Sequence, residues 1–368
     1  MIKVIHCSDL HLDSSMETRL SKENVKERKA ELLATFGRMV DYAEEHQVKA
    51  IIIAGDLYDK KNISKSAKII IKSMIINHPY IDFYYLKGNH DAGNILAEFD
   101  ELPENLKMFT EQWTSYNIDE AGKIVLTGVE LTKDNATNIS YSLVLDNEKY
   151  NIVTLHGQIG EYKAKDKTEH IALSEYRDKG IDYMALGHIH SYQQGGLDRR
   201  GTYCYPGCLE GRGFDECGEH GFVLLTINED ERTMKSEFVP IASRNLYEVD
   251  VDITGTESTV DISERIRNTL EGLNYSERSL MRVNLVGKMD FQSEKNIEFL
   301  TTQYKEQFFY FEVKDKSVYE INYSEYRYDA SLKGEFIRNV EARNDISDEE
   351  KATIIRYGIQ ALTGEELQ

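Results

Sequence analysis

Cysteine is scarce in this 368-residue chain, and Cys7, Cys204, Cys208 and Cys217 are too few and too unevenly placed for a disulfide framework. Three of them lie within 17 residues together with His220, but the gaps of three, eight and two residues lack the paired C-x-x-C knuckle usual in structural zinc sites. Small buried or half-buried thiols are the expectation. Long hydrophobic runs are also missing. None approaches the ~18 residues of a membrane span, so no membrane partner is expected. The chain enters an apolar strand at Ile2 with no basic, apolar and small-residue leader before it, and the cytoplasm is the expected compartment. Positive charge is in deficit: 44 basic against 64 acidic residues give a formal charge of −20, which opposes long-range attraction of nucleic acid.

What the chain does have is one construction used five times, a short apolar run followed by a tight polar loop. The runs read VIHCSDLH (Asp9, His11), IIIAGDLYD (Asp56, Asp59), YYLKGNHD (Asn89, His90), IVTLHG (His156) and YMALGHIH (His188, His190). Each run suits a strand covered on both faces. In an open α/β sheet the ligand site lies beyond the carboxyl ends of the strands, so the five loops are expected to converge. Carboxylates, an amide and imidazoles without thiolates suit Mn, Fe or Zn in a reactive site rather than a structural zinc.

Residues 1–240 alternate strand and helix, with apolar spacing of a helix over 25–45 and again over 64–76, where Ser64 is placed to cap. Segments 124–129, 140–145 and 150–155 are spaced like antiparallel strands. A mixed α/β sandwich flanked by helices is the expected catalytic domain. Residues 241–322 change character to strand 246–253, helix 258–273, strand 280–286, helix 293–304 and strand 308–313, which reads as a separate αβ cap. Residues 323–368 read as a linker rich in tyrosine and two amphipathic helices, around 332–342 and 348–362. Their apolar stripes are expected to dock on a partner, since catalytic domain and cap are already complete without them.

The motif order DxH, GDxxD, GNHD, H, GHxH resembles the calcineurin-like metallophosphoesterase family over roughly residues 1–230. The resemblance implies two divalent metals, Mn most readily. Asp9, His11 and His190 would hold one, and Asn89, His156 and His188 the other, with Asp56 bridging. His90 is left for chemistry, to protonate the leaving oxygen or stabilise phosphoryl charge, and Asp59 is its expected partner, with a loop cap as the plainer role. Lys60-Lys61 stands where the serine/threonine phosphatases of the superfamily carry Arg-Gly, which disfavours that subfamily. The stretch YCYPGCLEGRGFDECGEHGFVLLTI after GHIHSYQQ, with DLHLDS and SLKGEFIRNVEAR, resembles the DNA-repair exonuclease branch of SbcD-like and YhaO-like proteins. Asp13 in place of the usual glycine, and the missing proline after the GDxxD loop, favour the YhaO-like side.

That branch implies a nuclease acting on DNA with an SbcC-like ABC ATPase subunit, with the chain also as a homodimer. Lys60, Lys61, Lys65, Lys68, Arg199, Arg200 and Arg212 are the candidates to grip phosphates, although clusters of this kind more often mark a solvated face. A small-molecule cyclic or dinucleotide phosphodiesterase and a non-catalytic scaffold of the same fold are the alternatives.

Overall fold

The computed structural model describes residues 1–14, 20–59, 63–91, 102–160, 170–273 and 275–363. The chain divides into two compact units, 1–245 and 246–368.

The first unit is a sandwich of two six-stranded mixed sheets. In one, Ile2–Cys7, Ala50–Ala54, Asp82–Leu86 and Leu106–Met108 run parallel, and Gly221–Asn228 and Thr233–Pro240 extend it antiparallel. In the other, Ile124–Gly128, Tyr150–His156, Tyr183–Gly187 and Thr202–Tyr205 run parallel between antiparallel edges Thr114–Asn117 and Gln193–Gly196. Alternate residues of each strand face different cores. Val4, Ile52, Tyr84 and Leu86 meet Leu126, Ile152, Tyr183 and Ala185 between the sheets. Ile5, Cys7, Ile51, Ile53 and Phe83 face Leu32, Phe36, Met39, Ile71 and Ile75, and Val153, Leu155, Met184 and Leu186 pack with Leu143, Tyr176 and Ile181. Burial on both faces is why the motif strands are continuous apolar runs. Each such side chain contributes about 1.5–3 kcal/mol by leaving water.

The two helices covering the first sheet are Lys22–Glu45 and Lys65–Asn77, and Ser64 caps the second, its hydroxyl accepting from Ala67 N at 3.2 Å. The antiparallel reading of 124–155 is corrected. Ile124–Gly128 and Tyr150–His156 pair in parallel, and Ile139–Ser142 is a single 3-10 turn. Parallel neighbours need a crossover, and the segment with strand-like alternation is that crossover. Leu143 drops into the outer core while Val144 is 87% exposed, and Ser140 Oγ donates to Glu175.

In the second unit Leu246–Asp252, Leu280–Val286 and Tyr310–Asp315 form a parallel sheet. Helices Thr259–Glu271 and Ile297–Tyr304 bury Ile262, Ile266, Leu270 and Leu300 against its Val251, Met281, Val283 and Leu285. Ser258 and Asp261 form a reciprocal capping box at the first helix. Helices Leu332–Glu341 and Asp348–Thr363 belong to the same unit. Their stripe is not left over, contrary to expectation: Ile337, Val340, Ala352 and Ile355 are buried in one cluster with Phe291, Ile321 and Tyr326. The αβ sheet core does not reach Phe291 and Ile321, so the tail is what covers them.

Candidate metal centre

The loops leaving the parallel strands of both sheets meet at one end of the sandwich. The first two run side by side past their strands, with Asp9 N donating to Gly55 O, His11 N to Asp56 O and Leu12 N to Leu57 O, each at 3.0 Å. Eight described non-glycine residues have positive φ, and four are Asp9 (52°), His11 (44°), Asp56 (51°) and His188 (106°). Such backbone costs on the order of 1–3 kcal/mol per residue and persists where the surroundings over-determine it. Here it turns the side chains inward at the strand ends.

Three side chains fasten the loops to one another. The Asp9 carboxylate accepts from His188 N at 3.1 and 2.9 Å and from Ser8 Oγ at 2.5 Å, tying the first sheet to the second. Asp56 Oδ1 accepts from His90 N at 2.9 Å. Asp91, the last residue of GNHD, accepts from Leu57 N (3.3 Å), Tyr58 N (2.9 Å) and Gly88 N (2.9 Å), closing the GDLYD loop on the GNHD loop. Gly88 is required there, because a Cβ would collide with the Asp56 carboxylate.

The ring nitrogens and carboxylates then fall into three groups whose atoms lie within 4.8 Å of one another: Asp9, His11 and His190; Asp9, Asp56 and His156; and His11, Asp59 and His90. His11 Nε2 and His190 Nε2 are 3.2 Å apart. His156 Nε2 is 3.0 Å from Asn89 Oδ1 and 3.3 Å from Asp56 Oδ2, and that same Asp56 oxygen is 3.8 Å from His11 Nε2. Asp56 thus stands between the two sets of imidazoles. The ring of His188 meets that of His156 edge to face, centroids 5.4 Å apart. Asp59 Oδ1 is 3.3 Å from His11 Nδ1 and 3.5 Å from His90 Nδ1, so it serves two imidazoles rather than one.

The donor set fits divalent cations. His156 Nδ1 donates to Ala54 O at 2.9 Å, which leaves Nε2 as the lone pair aimed inward. His11 and His190 likewise turn Nδ1 to carboxylates, Asp59 and Glu216, and Nε2 to the centre. Burial pushes the Asp56 carboxyl up, but hydrogen bonding and charge from His156 outweigh it and hold the group well below the usual carboxylate range. His156 is the other half of the pair: burial lowers its imidazole, and Asp56 raises it to about 9. A proton on His156 and a cation are alternative ways to neutralise the same carboxylates.

Of the phosphate-gripping candidates, only Arg212 is brought to the centre, with Nη1 3.6 Å from Asp59 Oδ1. Arg200 is corrected. Its Nε and Nη2 pair with Asp182 at 2.8 and 2.7 Å, and its other hydrogen bonds go to Asn147 O and Lys149 O. Asp182 and Lys149 immediately precede the strands that end at Gly187 and His156, so Arg200 and its exposed neighbour Arg199 sit a strand's length away, roughly 17 Å. Lys60 and Lys61 lie outside the described residues. Lys65 and Lys68 belong to helix Lys65–Asn77. No cysteine enters a metal-ligating group among the described residues, in keeping with Cys204 in the inter-sheet core. Asp91 and Glu216 are site residues that the motifs did not single out.

Residues 2–192, just over half of the chain, match the model of the calcineurin-like phosphoesterases, and the chain belongs to that family. It is a metal-dependent phosphoesterase. Its relatives fall in the DNA-repair nuclease branch. The chain is similar to the metallophosphoesterase YhaO of Bacillus subtilis, 25% identical over 285 residues, which cover 73% of this chain and 67% of YhaO. It is similar to the DNA double-strand break repair protein Mre11 of Sulfolobus acidocaldarius, 23% identical over 309 residues, 80% of this chain and 77% of that protein. Similarity to the SbcD component of the nuclease SbcCD of Staphylococcus epidermidis is 26% over 301 residues, 72% and 75% of the two chains. Family and ligand set together support two divalent metals.

Proposed function

We propose that this chain hydrolyses DNA phosphodiester bonds, at ends or in single strands, as the nuclease subunit of a complex with an SbcC-like ABC ATPase. The observation that carries the reading is the position of Asp56 between two sets of imidazoles, with His90 beside them. In this reading Asp9, His11 and His190 hold one cation, Asn89, His156 and His188 the other, and Asp56 is shared. When bound, the two cations supply Lewis acidity and an activated water for in-line displacement at phosphorus. His90, whose side chain is 47% exposed, is free to meet a substrate and protonates the departing oxygen, and Asp59 orients it. Mn is the preferred metal because an imidazole-rich set suits it better than Mg. The names of the Mre11 and SbcD relatives support DNA as substrate and an ATPase as partner. We place the protein in the cytoplasm and include self-association as a homodimer. No helix among the described residues is long and apolar enough to cross a membrane.

The net charge of −20 favours a different substrate, a cyclic or dinucleotide diester that needs no extended basic surface. One assay set separates the readings. Protein loaded with Mn is given blunt, overhanging and single-stranded DNA, a cyclic dinucleotide and bis-p-nitrophenyl phosphate. DNA cleavage abolished by chelator and restored better by Mn than by Mg is expected. Turnover of the small diesters with DNA left intact would favour the second substrate class, and inertness toward all of them would leave a scaffold.

A further inference from the structure

Glu216 lies 26 residues beyond His190 and outside every motif, yet its side chain is 5% exposed and both of its oxygens are engaged at the centre. Oε1 accepts from His190 Nδ1 at 2.5 Å and from Arg212 Nη2 at 2.8 Å, and Oε2 accepts from Arg212 N at 2.7 Å. Arg212 Nε lies 3.3 and 3.4 Å from the two oxygens, and the guanidinium is itself 14% exposed. Its Nη1 reaches on to Asp59 Oδ1, 3.6 Å away, the oxygen that also faces His11 and His90. The back of the carboxylate is closed by Cys208, whose thiol is 3.8 Å from Oε2, and the Glu216 carbonyl accepts from His220 Nε2 at 2.8 Å.

A buried ion pair of this kind is a poor source of stability, since desolvation of both partners offsets their attraction. Its consequence is geometric. An imidazole can face a cation with either nitrogen, and a carboxylate on Nδ1 fixes both the tautomer and the ring plane. A carboxylate left to rotate could not do this, and the planar fork of Arg212 together with its own backbone N–H removes that freedom.

We propose that Glu216 and Arg212 are positioning residues of the metal centre: Glu216 holds His190 with Nε2 toward the site, and Arg212 locks Glu216 and braces it against Asp59. The inference rests on the metal-centre reading above. It assigns the stretch Gly211 to Glu216 a role in binding the cation shared by Asp9, His11 and His190, with no contact of its own to that cation.

The test is calorimetric titration of the metal-free full chain with MnCl2, for wild type, Glu216→Gln and Arg212→Lys, alongside melting of the metal-free forms. Glu216→Gln keeps an acceptor and the shape but loses the charge. Wild type is expected to take up two Mn ions, and Glu216→Gln to weaken one of them by about 10- to 100-fold, with the other affinity and the melting temperature unchanged. Arg212→Lys should weaken the same ion by a smaller factor, and it decides the matter if the glutamine variant fails to fold. Two unaltered affinities in both variants would overturn the inference, as would equal weakening of both ions with an earlier melt. Failure of wild type to take up Mn would overturn the metal-centre reading itself, and this inference with it.

Discussion

Asp59 Oδ1 faces His11 Nδ1 at 3.3 Å and His90 Nδ1 at 3.5 Å, so one carboxylate orients a candidate metal ligand and the candidate proton donor together. The hydrogen bond from His11 is the largest of the influences that hold Asp59 below the ordinary carboxylate range. Removing Asp59 therefore disturbs two functions, whereas removing His90 disturbs one. His90→Ala should lower kcat by about 10²- to 10⁴-fold, the range of general acid catalysis, and leave two metals bound. Asp56→Ala should empty the centre, because the shared carboxylate goes with it. Metal content by mass spectrometry on the two variants checks the division. Metal loss from His90→Ala would make it a ligand.

Asp91 is the tie between two loops, 6% exposed and holding three backbone N–H groups. Burial pushes its carboxyl up to about 6 against the hydrogen bonds it accepts. Asp91→Ala strands three donors, each costing about 1–3 kcal/mol when left buried and unpaired. The metal-free protein should lose at least ~3 kcal/mol in urea denaturation, and metal occupancy should fall because Asp56 and Asn89 lose their common anchor. An unchanged urea midpoint would show that the loops hold together without it.

The five motif loops were legible because burial on both faces turns the strands into apolar runs, and the ligand-bearing loops interrupt them with polar residues. Glu216 was not legible, because its pairing with His190 is chosen by a loop that folds back over 26 residues. The misplacement of Arg200 has a topological cause. After GHIH the chain leaves the site along Gln193–Gly196, turns at 198–201, and returns along Thr202–Tyr205. Arg199 and Arg200 are close to the motif in sequence and at the far end in space, while Arg212, further along, is back at the site. In the second unit the αβ pattern was read directly from its 3.6 and 2 periodicities. The fate of the tail was not, since an amphipathic stripe does not name the surface that covers it.

His6 provides a pH test away from the ligands. It lies in the first strand with its Nδ1 3.0 Å from Tyr183 Oη between the sheets, and burial lowers its imidazole from 6.5 to about 3. The unfolded chain thus takes up a proton that the native state refuses. The contribution of a neutral His6 is complete above pH ~6.5 and is lost as pH falls, at about 1.4 kcal/mol per unit. Between pH 7.5 and 5 the loss from this residue should be roughly 2 kcal/mol. Denaturation of wild type and His6→Phe at both pH values isolates it. An equal acid loss in the two proteins would remove His6 as its source.

The tail helices divide their apolar residues between two surroundings. Ile337 and Ile355 are fully buried, whereas Leu332 is 66%, Ile354 40% and Leu362 48% exposed. Ile355→Ala should cost about 2–5 kcal/mol through the cavity it leaves, against well under 1 kcal/mol for the neighbouring Ile354→Ala. Deleting residues 330–368 should lower the melting temperature, because Phe291 and Ile321 of the same unit lose their cover. If an ATPase docks on this tail, it is left with the exposed set. Ile354→Ser with Leu362→Ser should then weaken pull-down of the ATPase while melting stays as in wild type. Undiminished pull-down by that double variant would take the docking surface away from the tail and leave these helices with a purely architectural role.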